Sequence, residues 1–371
     1  MMNKIRLSKS SMSSLEKTAV VDVLDKEYLG MGAETQKFEM EVASFLEVDS
    51  DYVAAVNSGT SALHIALAAI GVKPGDEVIV PSLTYVASFQ AISACGAIPV
   101  ACEVNPDTLF LDAEDAKSRI TANTKAIMPV HYASSSLGIS QVYDLAREYN
   151  LRVIEDAAQA FGCYSLGKKV GSTGDVICFS FDGIKNITCG EGGAVVAFDA
   201  KTINNIKDMR LLGVKKDTEQ RYAGQRSWDF DVELPGFRYH MSNINAAIGL
   251  AQLSRIDEFT ANRQAISNKY LSALKNVSEM IPLKLDYENT VSHIFVVLVE
   301  RRDELRNFLL AKNIEVGIHY KPNHLLSKFS TGASLPLTEA IYEQLLTLPI
   351  HNDLTDEEQD YVIDSIYEFF N

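Results

Sequence analysis

One lysine stands apart in the stretch Val176–Val196, which reads VICFSFDGIKNITCGEGGAVV. The stretch begins as an apolar run typical of a buried strand and ends near the glycine-rich turn Gly190–Gly193, with Lys185 between them. Such a lysine is either a solvated surface residue, as most lysines are, or an amine kept close to a buried site. Burial and nearby positive charge lower a lysine's pKa and yield the neutral amine that a carbonyl cofactor needs. Lys185 is therefore a candidate nucleophile whose role depends on the rest of the chain.

A carboxylate closes another predicted strand. Asp156 ends the run LRVIED and precedes two small residues, Ala157 and Ala158. Burying a carboxylate there is costly unless a cation or a strong donor meets it. Asp156 can cap a helix, a role that aspartate often fills, or it can pair with the protonated nitrogen of a pyridine cofactor and keep that ring an electron sink. Because Asp156 and Lys185 follow successive predicted strands, both can face one pocket.

A third polar segment precedes an apolar helix. The predicted strand Val53–Val56 leads into Asn57–Thr60 and then into the helical run SALHIALAAIG. Free backbone amides at such a helix start favour a phosphate group, although serine and threonine there also suit an ordinary cap. Tyr85, at another strand end, can stack on a ring or fill the core. An amine, a ring-nitrogen partner and a phosphate turn are the three groups that pyridoxal 5′-phosphate (PLP) requires.

The elements that must position these residues alternate between strand and helix through about residue 200. This alternation indicates an α/β domain with a mostly parallel sheet, in which ligands bind beyond the carboxyl ends of the strands. We predict strands at Val53–Val56, Glu77–Pro81, Ile98–Cys102, Ala126–Val130, Arg152–Ile154, Val176–Ser180 and, after a turn back, Val195–Phe198. The polar residues described above then gather at one edge of the sheet.

The rest of the chain completes this domain and adds a second one. Residues 14–47 show helical periodicity broken at Gly30–Gly32, and residues 241–275 are also helical. The polar segment Lys215–Asp231, which holds the only tryptophan, is predicted to be a long mobile loop, either a lid or partner contact or a plain surface excursion. We place the domain change near residue 255, with strands near 292–299 and 314–318 in the smaller C-terminal part.

Composition limits the class of protein. The chain has 371 residues, enough for two domains, and its net charge of −15 argues against nucleic-acid binding, which would need a basic stripe. The N-terminal run MMNKIRLSKSSMSSLEK lacks the apolar core of a signal peptide, and no apolar run reaches the length of a membrane span. The five cysteines lack CxxC spacing and are expected to be reduced in a cytoplasmic protein, not to form disulfides or a zinc site.

Six motifs in order make the chain resemble the sugar aminotransferases of the DegT/DnrJ/EryC1/StrS family. They are NSGTSALHIAL, GDEVIVPSLTYVAS, VIEDAAQAFG, FSFDGIKNITCGEGG, GFRYHMSNINAAIGLAQL and GIHYKPNH, and they cover nearly the whole length. The resemblance implies the fold type I architecture of PLP-dependent transferases. Residues 1–254 would form a large PLP-binding domain with a mostly parallel seven-stranded sheet, and residues 255–371 a smaller C-terminal α/β domain. The N-terminal segment is a candidate to pack against the small domain.

The resemblance also implies which residues contact PLP. The family pattern comprises a lysine in a Schiff base, a carboxylate on the pyridinium nitrogen, a glutamine beside the ring oxygen, an aromatic over the ring and a phosphate cup. In this sequence the matching positions are Lys185, Asp156, Gln159 and Tyr85, followed by the cup residues Gly59, Thr60, Ser61 and Ser180.

Two segments depart from the family pattern. In the family, the asparagine of a GxNYRM motif reaches the phosphate from the neighbouring subunit, so the active unit is a homodimer. Here the motif spans Gly236–Met241, with Arg238 in place of the asparagine and His240 in place of the arginine. Arginine can serve a phosphate through its charge. After Tyr132, the run ASSSLGIS replaces a glycine-plus-acidic pattern, so we assign no role to that loop.

The motif GIHYKPNH implies a substrate-side group made of His319, Tyr320 and His324. The two histidines lie five apart with a proline between them, which makes a helix-borne metal pair a poor interpretation, and no metal is expected. Three further histidines, isolated from any ligand cluster, are interpreted as structural: His64, His293 and His351.

The implied reaction is a ping-pong transamination with L-glutamate as amino donor and pyridoxamine 5′-phosphate as the half-reaction form of the cofactor. Lys185 would move a proton as general base and acid while Asp156 keeps the ring protonated. The acceptor would be a nucleotide-linked keto-deoxy sugar in surface-polysaccharide or glycan biosynthesis, such as that of lipopolysaccharide O antigen. Likeness of the HYKPNH segment to 4-amino-sugar makers favours C4 over C3.

Other interpretations remain beside it. They are C3 amination, a PLP-dependent lyase or dehydratase, and a cofactor-free regulatory protein on the same fold. The dehydratase branch of the family has histidine where this chain has Lys185, which argues against that branch.

Overall fold

The centre of the molecule is a seven-stranded sheet. The structure, a computed structural model, describes residues 4–226, 228–330 and 332–371. In chain order the first nine strands are β1 (Val53–Val56), β2 (Glu77–Pro81), β3 (Ile98–Cys102), β4 (Thr124–Ile127), β5 (Arg152–Asp156), the short hairpin strands β6 (Tyr164–Ser165) and β7 (Lys168–Lys169), β8 (Val176–Ser180) and β9 (Gly193–Ala197).

The sheet order is β1-β9-β8-β5-β4-β2-β3, with β6 and β7 forming a separate two-stranded sheet. The pairs from β3 through β8 are parallel, whereas β9 runs antiparallel to both β8 and β1. This confirms the predicted mostly parallel seven-stranded sheet with a strand that turns back.

Strand β8 shows why these residues form a central strand. Its five residues, VICFS, are all buried, which suits a strand covered by helices on both faces. Val176 and Cys178 enter one hydrophobic core, whereas Ile177 and Phe179 enter another. Because side chains alternate along a strand, β8 contributes to both cores and its carboxyl end is fixed in position.

Thirteen α-helices within the described residues cover the sheet and build a second core. They are α1 (Ser14–Asp25), α2 (Ala33–Leu46), α3 (Gly59–Ala69), α4 (Val86–Ala94), α5 (Ala113–Ser118), α6 (Ile139–Tyr149), α7 (Ala200–Met209), α8 (Asp217–Tyr222), α9 (Asn243–Leu253), α10 (Ile256–Leu274), α11 (Arg302–Ala311), α12 (Pro336–Gln344) and α13 (Asp356–Phe370). Short 3-10 turns occur at Ser50–Tyr52, Tyr132–Ser134 and Asn323–Leu325. No described helix combines the length and the apolar character needed to cross a membrane.

The break predicted in the first helical stretch separates α1 from α2. Gly32 occupies the N-cap position of α2. A Cβ at this position would lie 2.6 Å from Cε1 of Tyr28, so the ring excludes a side chain there. The second helical stretch also divides, into α9 and α10.

The prediction of a long loop over Lys215–Asp231 is wrong for its first part. Helix α8 lies within it, with Asp217 and Thr218 buried. Thr218 donates a hydrogen bond to the carbonyl of Lys207, which ties α8 to α7. Ser227, in the same segment, lies outside the described residues, as do Met1–Asn3 and Thr331.

A second core forms around an antiparallel sheet made of β10 (Met280–Pro282), β11 (Phe295–Val299) and β12 (Leu345–Leu348). β11 falls within the strand expected near 292–299, but the expected strand at 314–318 forms only isolated bridges. Ile5 joins this core, and its N–H donates to the carbonyl of Asn313 at 2.9 Å. The domain boundary between residues 254 and 255 stays a prediction.

Candidate functional site

Most of the predicted site residues line one cavity of about 410 Å³ at the carboxyl ends of β5 and β8. The large sheet and the second core both contribute to its wall. The predicted residues in this wall are Gly59, Thr60, Tyr85, Asp156, Gln159, Ser180, Lys185, His319 and Tyr320. Ligands of open α/β sheets bind in this location. Larger surface clefts elsewhere on the molecule contain none of these residues.

The start of α3 forms an anion-binding corner of the cavity. Ser58 caps the helix: its hydroxyl accepts from the N–H of Ser61 at 3.1 Å, and the N–H of Ala62 donates to the Ser58 carbonyl. The N–H groups of Gly59 and Thr60 at the first helical turn have no acceptor within the helix and are therefore available to a phosphate. This arrangement fits the phosphate of PLP.

Ser61 does not line the cavity, contrary to the prediction that it belongs to the phosphate cup. Its hydroxyl donates to Oδ1 of Asn57 at 2.7 Å, and it accepts from the N–H of Ser58 at 3.0 Å. Ser61 is thus the second half of a capping box. Its side chain holds the turn in shape, whereas Gly59, Thr60 and Ser180 face the cavity.

Gly59 must be glycine because Ser180 packs against it. A Cβ on Gly59 would lie 2.7 Å from Cβ of Ser180 and 2.9 Å from its Oγ. This close approach joins the end of β8 to the start of α3. The hydroxyl of Ser180 is therefore held beside the free N–H groups of the α3 turn.

Asp156 ends β5 inside the cavity wall and is only 5% exposed. Its Oδ2 accepts from the hydroxyl of Ser88 at 2.7 Å, and its Oδ1 accepts from the N–H of Ala158 at 3.2 Å. Burial raises the pKa of this carboxyl, and the hydrogen bond from Ser88 opposes the rise. A buried carboxylate with only neutral donors is suited to a cationic partner, such as the protonated ring nitrogen of PLP.

Lys185 lies in the turn after β8, with its side chain half-buried in the cavity wall. Its Nζ is 3.3 Å from Nε2 of His293. Burial lowers the pKa of the Lys185 amine; the negative charges of Asp156 and Asp182 oppose this, and the positive charge of Arg263 adds to it. The net direction favours the neutral amine that attacks a carbonyl carbon.

Aromatic and amide side chains also line the cavity. Nε2 of Gln159 donates to the hydroxyl of Tyr320 at 3.2 Å, while its Oε1 accepts from the N–H of Ala133 at 2.9 Å. The ring of Tyr85 is 58% exposed, with its centroid 5.5 Å from that of Tyr320. Nδ1 of His319 lies 2.9 Å from the hydroxyl of Thr347. An open aromatic face next to fixed polar groups suits a planar ring.

Two predicted residues lie away from this cavity. His324 is buried, with Nδ1 2.7 Å from the hydroxyl of Ser82 and Nε2 3.1 Å from Glu339. Because both ring nitrogens have partners within the chain, the structure does not support the predicted substrate contact of His324. Arg238 is exposed, and its carbonyl accepts from Nδ2 of Asn57 beside the α3 turn. Its side chain does not line the cavity of its own chain.

His293 was missed by sequence reasoning, which interpreted it as structural. The structure brings it into the cavity wall, next to Lys185. The available signal was a polar pair, Ser292–His293, directly before the apolar run that forms β11. Sequence periodicity could not indicate that this end of a second-core strand faces the large sheet. Asp182 and Glu191 also line the cavity without having been predicted.

Comparison with known proteins decides the family. The model of the DegT/DnrJ/EryC1/StrS aminotransferase family matches residues 10–367. The chain belongs to this family. It is accordingly a PLP-dependent aminotransferase of the sugar-aminating kind, and PLP is its cofactor. The predicted fold class, family and cofactor are confirmed.

Solved structures of family members are similar over almost the whole chain. DesV from S. venezuelae, in complex with a ketimine intermediate, shares 33% identity with a TM-score of 0.90 and covers 100% of this chain and 99% of its own. The aminotransferase TlmJ from Streptoalloteichus hindustanus shares 29% identity with a TM-score of 0.92, covering 99% and 98%. The putative sugar aminotransferase Spr1654 from Streptococcus pneumoniae, in its PMP form, shares 29% identity with a TM-score of 0.89, covering 98% and 96%.

Proposed function

We propose that this enzyme transfers the amino group of L-glutamate to C4 of a nucleotide-linked 4-keto-6-deoxy sugar, in surface-polysaccharide or glycan biosynthesis in the cytoplasm. The observation that carries the proposal is the placement of Lys185, Asp156 and the free N–H groups of the α3 turn around one cavity. An amine, a ring-nitrogen partner and an anion-binding turn are the groups that an amino transfer with PLP needs from the protein.

Each wall of the cavity has a role in this proposal. Lys185 would hold the cofactor covalently, and its free ε-amine would accept a proton and return it. Asp156 would hold the proton on the ring nitrogen, and the N–H groups of Gly59 and Thr60 would bind the phosphate. When bound, PLP supplies the electron sink that stabilises negative charge at the carbon losing a proton.

The substrate side of the cavity is assigned to His319 and Tyr320. Both side chains face the cavity from the second core, where a sugar has to approach Lys185. The hydrogen bond between Gln159 and Tyr320 fixes the phenol ring relative to the large sheet. The preference for C4 comes from the likeness of the HYKPNH segment to 4-amino-sugar makers, and C3 amination would use the same residues.

We also propose that the active unit is a homodimer with shared sites. Large apolar side chains are exposed on α1 and α2, among them Leu15, Leu24 and Met40, and exposed apolar area is typical of an interface. Arg238 projects outward beside the α3 turn without lining its own cavity. In a dimer, its guanidinium would be available to the phosphate in the partner subunit, in place of the family's asparagine.

The test uses purified protein with PLP, L-glutamate and a panel of nucleotide-linked 4-keto and 3-keto deoxy sugars. We expect 2-oxoglutarate and amino sugar in equal amounts, with the new nitrogen located at C4 by NMR. Lys185→Ala should lose both the visible band of bound PLP and amino transfer. Nitrogen at C3 would replace the C4 assignment, and carbon dioxide or an elimination product would favour a lyase. A wild type without the band, indistinguishable from Lys185→Ala, would refute the enzyme proposal.

A further inference from the structure

Arg263 is a buried cation held by carbonyl groups instead of carboxylates. It lies on α10 with its side chain 1% exposed. Its Nη1 donates to the carbonyls of Ser292 and His293 at 3.0 and 3.3 Å. Burial lowers its pKa to about 10, so the guanidinium keeps its charge at neutral pH. A charge that is not neutralised by an acid acts on its surroundings over several ångströms in a medium of low dielectric.

The same contacts clamp His293 between two elements. Arg263 donates to the carbonyl of His293, and the backbone N–H of His293 donates to the hydroxyl of Ser134 at 2.9 Å. The imidazole is 4% exposed, and its Nε2 lies 3.3 Å from Nζ of Lys185. With its backbone fixed on both sides, this ring has little freedom to leave the Lys185 amine.

The unpaired ring nitrogen of His293 indicates which nitrogen carries the proton. Within the described residues Nδ1 is buried and has no hydrogen-bond partner. A buried N–H without an acceptor is costlier than a bare lone pair, so the proton belongs on Nε2. Burial lowers the pKa of His293 well below its ordinary value, and the positive charge of Arg263 adds to this shift, which keeps the ring neutral. An Nε2–H facing Nζ can only donate, and a neutral amine can accept that bond.

We propose that His293, clamped by Arg263, is a positioning residue that donates its Nε2–H to the ε-amine of Lys185 and holds that amine in its neutral, nucleophilic form. The inference deepens the proposed role of Lys185 and rests on that proposed function. It gives a role in the site to two residues of the second core that the sequence did not connect with Lys185.

Other charged and titratable groups also face the Lys185 amine. Asp156 and Asp182 favour its cationic form, whereas burial and Arg263 favour the neutral one. The remaining groups in the wall are Glu191, His319, Tyr85 and Tyr320. The pKa of Glu191 is raised and that of His319 lowered by burial, so both are shifted towards their uncharged forms. The opposing carboxylates are therefore Asp156 and Asp182, and His293 acts against them through a direct hydrogen bond.

The experiment measures the pKa of Lys185 in the apoprotein, without substrate or cofactor. Trace acetic anhydride is applied across a pH series, and acetylation of the Lys185 peptide is quantified by mass spectrometry against a reference amine. His293→Leu keeps the burial and removes the donor, so the pKa of Lys185 should rise by about one unit, making the amine about tenfold less reactive at neutral pH. Arg263→Met should act in the same direction.

Conservative variants and a matched control complete the design. His293→Gln can offer an amide N–H near the position of Nε2, and Arg263→Lys retains a charge, so both should lie closer to wild type than the Leu and Met variants. His351→Leu removes another buried histidine with an unpaired Nδ1 that does not line the cavity. It should leave the Lys185 titration unchanged.

Two results would overturn the inference: an unchanged Lys185 pKa in His293→Leu, or an equal rise in His351→Leu. Because the labelling needs no amino acceptor, it also separates this inference from the proposed function. A wild type that shows the lowered Lys185 pKa but aminates no nucleotide sugar would refute the function and leave the His293 contact standing.

Discussion

Ser88 donates its hydroxyl proton to Oδ2 of Asp156 across 2.7 Å, from the first turn of α4 to the end of β5. This bond stabilises the ionised carboxylate, whereas burial works against ionisation and raises the pKa of Asp156. The ring nitrogen of PLP needs the ionised form as its partner. In the role proposed for Asp156, Ser88 would act on the cofactor through this carboxylate, although it does not line the cavity.

We expect Ser88→Ala to raise the pKa of Asp156 further and to weaken PLP binding about tenfold at neutral pH. The loss should grow as the pH falls, because the carboxylate then becomes protonated earlier. Spectral titration of apoprotein with PLP at pH 6 and pH 8 measures both effects. Ser93→Ala on the same helix is the control, and an equal loss in that variant would contradict this account.

Gly59→Ala should damage the phosphate corner by a steric effect. The added Cβ would approach Cβ of Ser180 to 2.7 Å, so the start of α3 or the end of β8 has to shift. We expect PLP affinity to fall at least about tenfold, since overpacking of this kind typically costs about 1–3 kcal/mol. Spectral titration again gives the dissociation constant.

Two further substitutions test whether the collision with Ser180 causes the loss of PLP affinity. Gly30→Ala meets no atom within 4 Å and should bind PLP as wild type does. Ser180→Gly removes the colliding side chain together with its hydroxyl, so in that background Gly59→Ala should lower PLP affinity less than it does in wild type. If Gly59→Ala lowers the affinity equally in the two backgrounds, the collision with Ser180 is not the cause.

Arg238 offers a test of shared active sites. If it reaches the phosphate of the partner subunit, Arg238→Ala and Lys185→Ala homodimers should each have low activity. Mixed and reassociated subunits should then recover roughly a quarter of wild-type activity, because each heterodimer contains one site free of both substitutions. Amino transfer after mixing measures this. No recovery in samples shown by mass spectrometry to contain heterodimers would contradict the sharing of sites through Arg238.

The lowered pKa of His319 predicts that the stability of the protein depends on pH. Burial lowers the pKa of His319 to about 4 from an ordinary value of 6.5. Between these values the unfolded chain binds a proton that the folded chain does not, so stability falls as the pH drops from about 6.5 towards 4. Between pH 7 and pH 5, the free energy of unfolding of His319→Gln should fall by about 1–2 kcal/mol less than that of wild type.

The measurement is the free energy of unfolding of both apoproteins in urea at the two pH values. The substitution also removes the contact between Nδ1 of His319 and Thr347, but that cost is the same at both pH values. It therefore cancels when the change in unfolding free energy with pH is compared between the two proteins. Equal slopes in the two proteins would show that His319 is not the group responsible.

Much of the large sheet and its cavity could be predicted because its strands are continuous apolar runs. Once β5 and β8 were recognised, Asp156 and Lys185 had to lie near one edge of the sheet. The resemblance supplied residues such as Gln159, which strand periodicity alone would not single out. The capping box of Ser58 and Ser61 shows the limit of such transfer, since a motif does not say which serine faces the ligand and which holds the turn.

The second core was harder to predict because its contacts join distant parts of the chain. β10 and β12 are only three and four residues long, which leaves little periodicity to detect. The expected strand near 314–318 contacts Ile5 and Thr347 only through isolated bridges. For the same reason, the local sequence pattern could predict neither the contact of His293 with Lys185 nor that of His324 with Ser82.

The pairing of Ile5 with Ile314 has a consequence for how the protein is made. Chains emerge from the ribosome in order, and their domains tend to fold as units during synthesis. The strands of the large sheet are all complete by Ala197, so that sheet can assemble while translation continues. Ile5, although synthesised before every strand of the large sheet, has to wait for Asn313 and Glu315, whose backbone groups hold it. His293 and His319 are also synthesised after the large sheet, so the nascent protein acquires its complete cavity only once these residues have emerged.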